Sequence, residues 1–184
     1  MKVAILVGSL RAGSFNLLLS RALSRMGPRE WTWQHIAIGD LPFYNQDHDA
    51  AMPAESKRLK QEIEAADALM FVTPEYNRSI PGVLKNAIDI ASRPYGKNSF
   101  AGKPAGVIGT SVGAIGTALA QQHLRNMLAY LDVPTLNQPE AFIHFREGLI
   151  DHAGEVTDEK TRDFLQRWVN AYRDFVQAHA KNVR

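Results

Sequence analysis

Short apolar runs and amphipathic stretches alternate along the chain. Residues 3–7 and 68–72 are continuous apolar runs bounded by turn residues, the pattern of strands buried on both faces, the later strand being expected to run on to Thr73. Between them, residues 16–26 place Leu17, Leu18, Ala22 and Leu23 at helical spacing before Gly27-Pro28 stops the run. Residues 31–38 alternate as a second strand, 41–45 read as an irregular loop, and 54–66 form a charged helix with Leu59 and Ile63 on its apolar side. Residues 81–91 predict a helix with Pro81 in its first turn. A fourth strand is expected at 104–110 and a fourth helix at 117–131. The 133–143 region holds a short fifth strand interrupted at Pro139. A long last helix at 157–179 carries Phe164, Trp168, Ala171, Tyr172 and Phe175 along one side.

A strand–helix unit repeated five times calls for a parallel sheet with helices on both faces. The expected fold is α/β: a flavodoxin-like, doubly wound five-stranded parallel sheet of order 2-1-3-4-5. In that order the ligand crevice opens at the switch point between strands 1 and 3. The loops after those two strands converge on it, and the loop after strand 4 lines its far side. No linker, internal repeat or low-complexity segment interrupts the chain. Its 184 residues, 45% hydrophobic, therefore read as a single domain, 1–184, with one substantial core.

The loop after strand 1 is Gly8-Ser9-Leu10-Arg11-Ala12-Gly13-Ser14-Phe15-Asn16. Gly8 and Gly13 let the backbone turn tightly and expose amide N–H groups. Ser9 and Ser14 add hydroxyl donors, and Arg11 adds a planar cation suited to phosphate oxygens. A helix beginning at about Ser14 contributes unpaired amides and a favourable dipole. The Gly8–Gly13 spacing is that of a P-loop's opening, but Ser14 stands where the P-loop lysine would be, which argues against triphosphate hydrolysis. No G-x-G-x-x-G follows the first strand, which weakens a dinucleotide reading. The loop after strand 3, Thr73-Pro74-Glu75-Tyr76-Asn77-Arg78-Ser79-Ile80-Pro81-Gly82, suits a flat polar ligand. In the loop after strand 4, the small residues from Gly109 to Thr117 allow close approach to a planar ring, and Ser111 can donate to it. Gly109, Gly113 and Gly116 also have a loosely dinucleotide-like spacing, without the acidic residue a ribose would need. Together the loops point to a mononucleotide, a flavin above all.

Composition narrows the chemistry further. The chain has no cysteine, which excludes disulfides, a thiolate nucleophile and cysteine-ligated metals. Its six histidines are dispersed without ligand spacing, so no metal site is expected. A net charge of +2 is too small to argue for nucleic acid. No apolar stretch approaches the roughly 20 residues that span a bilayer, and Met1-Lys2 runs straight into a strand. A soluble, cytoplasmic protein without membrane attachment is expected. Trp31, Trp33 and Trp168 read as packing residues, and Lys57, Arg58 and Lys60 as a solvated helix face. No acid–base catalytic residue is assigned, because a bound cofactor would carry the chemistry.

Four blocks also carry a family resemblance: residues 8–16, residues 73–89, Ala101-Gly102-Lys103-Pro104, and Gly109-x-Ser111-x-Gly113-x-x-Gly116. From residue 3 to about residue 142 the chain resembles the NADPH-dependent FMN reductase family, in its quinone and chromate reductase branch. The resemblance implies that Ser9, Arg11, Ser14, Phe15 and Asn16 grip the FMN phosphate and ribityl chain. It implies that Pro74, Glu75, Tyr76 and Asn77 form the loop whose backbone meets the isoalloxazine edge, with Ser111 and Gly113 touching the ring from the third loop. Such enzymes take hydride from NADH or NADPH and pass electrons to a small-molecule acceptor: a quinone, a metal oxyanion or a dye. Arg78 departs from the family pattern, and with Arg93 it is expected at the pocket mouth, facing the phosphates of NAD(P)H. The resemblance further implies a homodimer or homotetramer, with a two-fold partner covering the region after residue 80. A flavodoxin-like electron carrier without its own NAD(P)H site is the alternative, but carriers of that kind are strongly acidic and this chain is slightly basic.

Overall fold

The computed structural model describes residues 1–151 and 153–180. Five strands form one sheet: β1 (Lys2–Val7), β2 (Thr32–His35), β3 (Ala68–Val72), β4 (Ala105–Ser111) and β5 (Phe142–His144). Their order is β2-β1-β3-β4-β5, and every pair is parallel. The expected order is the observed one. The helices between and after them are α1 (Phe15–Met26), α2 (Ala54–Glu64), α3 (Gly82–Ala91), α4 (Ala118–Tyr130) and α5 (Glu159–Ala180).

Strand alternation sorts the core into two layers. Val3, Ile5, Met70, Val72 and Ile108 face α1 and α5, packing on Leu19, Leu23, Trp168 and Tyr172. Ala4, Leu6, Leu69, Phe71 and Val107 face the other way, onto Leu59, Ile63, Leu84, Ile88, Leu124 and Leu128. Trp31 and Trp168 are buried in the first layer, and Trp33 packs against it. In α1 the inward residues are Leu19, Ala22 and Leu23, with Leu17 and Leu18 only half-buried.

The boundaries differ where a local bond ends an element. β2 stops at His35, although the Ile36 N–H still donates to the Ile5 carbonyl and Ile36 and Ile38 remain buried. α5 starts at Glu159 rather than 157, because the Asp158 carboxylate accepts from the Thr161 N–H and caps it. The fifth-strand region is split, as its Pro139 suggested. Thr135 bridges Ala105 at the start of β4, and the chain rejoins the sheet only at β5, against Gly109–Ser111. Among the described residues, no helix is long and apolar enough to cross a membrane.

Candidate active site

β1, β3 and β4 lie side by side and deliver their following loops to one edge of the sheet. The three loops touch. The Gly8 N–H donates to the Val72 carbonyl at 2.9 Å, and a Cβ on Gly8 would meet Thr73 Oγ1 at 2.8 Å. A Cβ on Gly109 would lie 2.1 Å from the Thr73 carbonyl oxygen and 2.3 Å from Thr117 Oγ1, so only glycine lets the second and third loops come this close.

The first loop is a cradle of unused donors. Among the described residues, the backbone N–H groups of Ser9 through Gly13, and of Phe15 and Asn16 at the start of α1, meet no protein acceptor. Ser14 is the N-cap of α1: it is buried, and its Oγ accepts from the Leu17 N–H at 3.2 Å. The first turn of α1 holds no acidic side chain that would neutralise its dipole. The Arg11 guanidinium lies 4.4 Å over the Phe15 ring, which itself stacks on Phe145 at 3.9 Å. Arg11 makes no ion pair or hydrogen bond through its side chain with any described residue. A stacked, unpaired cation beside a row of free amides is suited to an anion.

The second loop ends in a tight hairpin. Tyr76 and Ser79 exchange both backbone hydrogen bonds, at 2.9 and 3.0 Å, around Asn77 and Arg78. Both turn residues have positive φ, 50° and 65°, as a type I′ turn requires; Asn accepts that conformation readily and Arg does not. Tyr76 and Asn77 are exposed at the tip. Glu75 points the other way. One oxygen, Oε2, accepts from the Leu119 and Ala120 N–H groups at 3.0 and 3.1 Å, and the other meets Arg78 at 3.3 Å. α4 has no side-chain cap of its own, so Glu75 fills that position from 44 residues away. Ser79 Oγ pairs with His123 Nδ1 at 3.1 Å, which ties the hairpin to the next turn of α4.

The third loop is bonded to itself and to α1. Ser111 Oγ donates to the Gly116 carbonyl at 2.6 Å and accepts from the Gly113 N–H at 3.2 Å. Asn16 is buried. Its Nδ2 donates to the Thr110 carbonyl at 2.9 Å, and its Oδ1 accepts from the Thr110 N–H at 3.0 Å.

Eleven of the residues singled out from the sequence therefore gather on these loops: Ser9, Arg11, Ser14, Phe15, Asn16, Pro74, Glu75, Tyr76, Asn77, Ser111 and Gly113. Arg78 joins them at the hairpin. Arg93 does not. It follows the far end of α3, a helix of ten residues and so about 15 Å long, beside the loop that carries Tyr44. Sequence reasoning missed Phe145, Thr110 and His123. Phe145 follows β5 outside any motif, and the bonds to Thr110 use its backbone, which leaves no residue-type signal. His123 was one histidine among dispersed ones.

The fold is that of a flavodoxin-like α/β protein, and the donor cradle suits a phosphorylated ligand. The chain belongs to the NADPH-dependent FMN reductase family, whose model matches residues 1–148. A 2-hydroxy-1,4-benzoquinone reductase of a Burkholderia species is 50% identical over 177 residues, covering 96% of this chain and 97% of that protein. A quinone reductase of Pseudomonas putida is 47% identical over 95% of this chain and 94% of its own length. The flavoenzyme NAD(P)H:(acceptor) oxidoreductase FerB of Paracoccus denitrificans superposes with a TM-score of 0.93 at 48% identity, covering 97% of this chain and 98% of that one. FMN fits the residues present, because the free amides and Arg11 supply donors and charge for its phosphate.

Proposed function

We propose that this protein carries electrons from NADH or NADPH through bound FMN to quinones, with chromate and dyes as further acceptors, by a ping-pong mechanism. The observation that carries the reading is the Arg11 cation, stacked on Phe15 and unpaired beside the free amides of residues 9–13. The quinone reductases among its relatives, at 50% and 47% identity, support the acceptor class.

FMN, when bound, supplies hydride acceptance and electron delivery. The chain's own residues bind and orient. Ser9, Arg11, Ser14 and Phe15, with the N–H of Asn16, hold the phosphate end. The backbone of Pro74, Glu75, Tyr76 and Asn77 borders the ring, and Ser111 with Gly113 closes the opposite side. Small residues there leave room for a second flat molecule to stack at near-attack distance. Arg78, exposed at the hairpin, faces the phosphates of NAD(P)H. In the homodimer or homotetramer that belongs to this reading, Arg93 of one copy approaches the crevice of another. The protein acts in the cytoplasm.

One open ring face must serve donor and acceptor in turn. Initial rates with varied NAD(P)H at several quinone concentrations are therefore expected to give parallel double-reciprocal lines. Intersecting lines would mean that both substrates bind together, which contradicts the shared-face reading.

A further inference from the structure

The loop joining β4 to α4 exposes Val112, Gly113, Ala114 and Ile115, and its internal bonds come mainly from Ser111. Its two ends are held from outside. At the start, the buried Asn16 side chain bonds both backbone groups of Thr110, across 94 residues of sequence. At the finish, the Glu75 carboxylate takes two amides in the first turn of α4, those of Leu119 and Ala120. Asn16 belongs to the phosphate loop and Glu75 to the ring-facing loop. Each of these side chains is thus spent on the third loop.

We propose that Asn16 and Glu75 are positioning residues that clamp the two ends of the 111–117 loop, so that all three ligand-facing loops are ordered as one unit before FMN binds. The inference rests on the FMN reading above and adds a side-chain role to the backbone contacts that Asn16 and Glu75 make in it. They act on the cofactor through the third loop and not through their own side-chain contacts. The chemistry fits. A carboxylate at a helix N-terminus satisfies donors that would otherwise stay unpaired and is favoured by the helix dipole. A primary amide that donates and accepts at one residue copies the pairing of a strand neighbour. Releasing either end lowers the fraction of molecules whose third loop is competent, and apparent affinity falls by that fraction.

The test combines hydrogen–deuterium exchange of the apoprotein over residues 110–120 with FMN titration by flavin fluorescence. Glu75→Ala and Asn16→Ala are expected to speed exchange across 110–120 and to raise the FMN dissociation constant about tenfold, the loss of one helix cap. Glu75→Gln should stay close to wild type in both measurements, because a single oxygen accepts both N–H groups and the carboxamide keeps one. Arg11→Ala should weaken FMN binding with exchange over 110–120 unchanged. If Asn16→Ala does not fold, the Glu75 pair carries the test alone. Weaker FMN binding in Glu75→Ala with wild-type exchange would overturn the clamp in favour of direct contact. Wild-type affinity in that variant would overturn it outright. Wild-type protein that binds no FMN would instead defeat the cofactor reading, while the exchange rates of the apoproteins would still decide the clamp.

Discussion

Replacing Gly109 by alanine tests whether the crevice depends on the close approach of two backbones. The new Cβ would lie 2.1 Å from the Thr73 carbonyl oxygen and 2.3 Å from Thr117 Oγ1, where ordinary contact needs well over 3 Å. Neither neighbour gives way easily. The Thr73 oxygen is backbone at the end of β3, and Thr117 is fully buried with its Oγ1 accepting from Gln121 Nε2 at 2.9 Å. The strands must therefore part by about 1 Å where the Thr73 N–H donates to the Ile108 carbonyl. Overpacking of this kind costs about 3 kcal/mol, the upper part of its usual range. With a urea m-value of about 2 kcal/mol/M, the unfolding midpoint should fall by about 1.5 M. Gly113→Ala is the matched control in the same loop: its Cβ would meet only Ser111 Oγ, at 3.5 Å, and its stability should stay within about 0.5 kcal/mol of wild type. A Gly109→Ala protein with an unchanged midpoint, or a Gly113→Ala protein equally destabilised, would refute the reasoning.

Two further outcomes follow from the core and the sheet edge. Tyr172 is fully buried and donates to the Leu69 carbonyl at 2.8 Å, with burial holding its hydroxyl far above the usual phenol range. Tyr172→Phe should cost about 1.5 kcal/mol, or about 5 °C in Tm by calorimetry, and an unchanged Tm would show that the bond contributes nothing. His35 is exposed on the outer strand but partly desolvated where its Nε2 pairs with Ser20 Oγ at 2.8 Å, and that desolvation first and Arg21 second hold it below the usual imidazole range. The unfolded chain therefore takes up a proton near pH 6.5 that the folded chain takes up only at lower pH, so stability is full above pH 6.5 and declines as the pH falls below it. His35→Gln should flatten that decline in denaturant titrations at stepped pH; an identical slope in both proteins would assign it to other groups.

Much of this architecture was legible because strand and helix periods differ and glycines mark the turns. The runs 3–7 and 68–72 are continuously apolar, as strands buried on both faces are, and five strand–helix units then call for the order β2-β1-β3-β4-β5 that is observed. The donor-rich loop after β1 was legible because Ser14 is both a helix cap and part of a turn whose amides stay free. What the sequence hides is where a side chain points. Asn16 reads as a ligand contact and Glu75 as one through its backbone; that both side chains bond backbone groups of other elements leaves no residue signature. Lys60 read as part of a solvated face, but its Nζ donates to the Ala91 and Lys97 carbonyls and to Ser99 Oγ, pinning the turn after α3. Arg93 follows the far end of α3, about 15 Å from the loop that opens that helix, a distance that residue types cannot encode.

The central claim is that the crevice holds FMN and that NAD(P)H reduces it there. The most direct measurement is the visible spectrum of the protein reconstituted with FMN and freed of excess, recorded without oxygen before and after adding NADH or NADPH, with a quinone added last. The account predicts a protein-bound flavin band that bleaches with the nicotinamide cofactor and returns with the quinone. A protein that retains no flavin, or a bound flavin that neither cofactor bleaches, would contradict it.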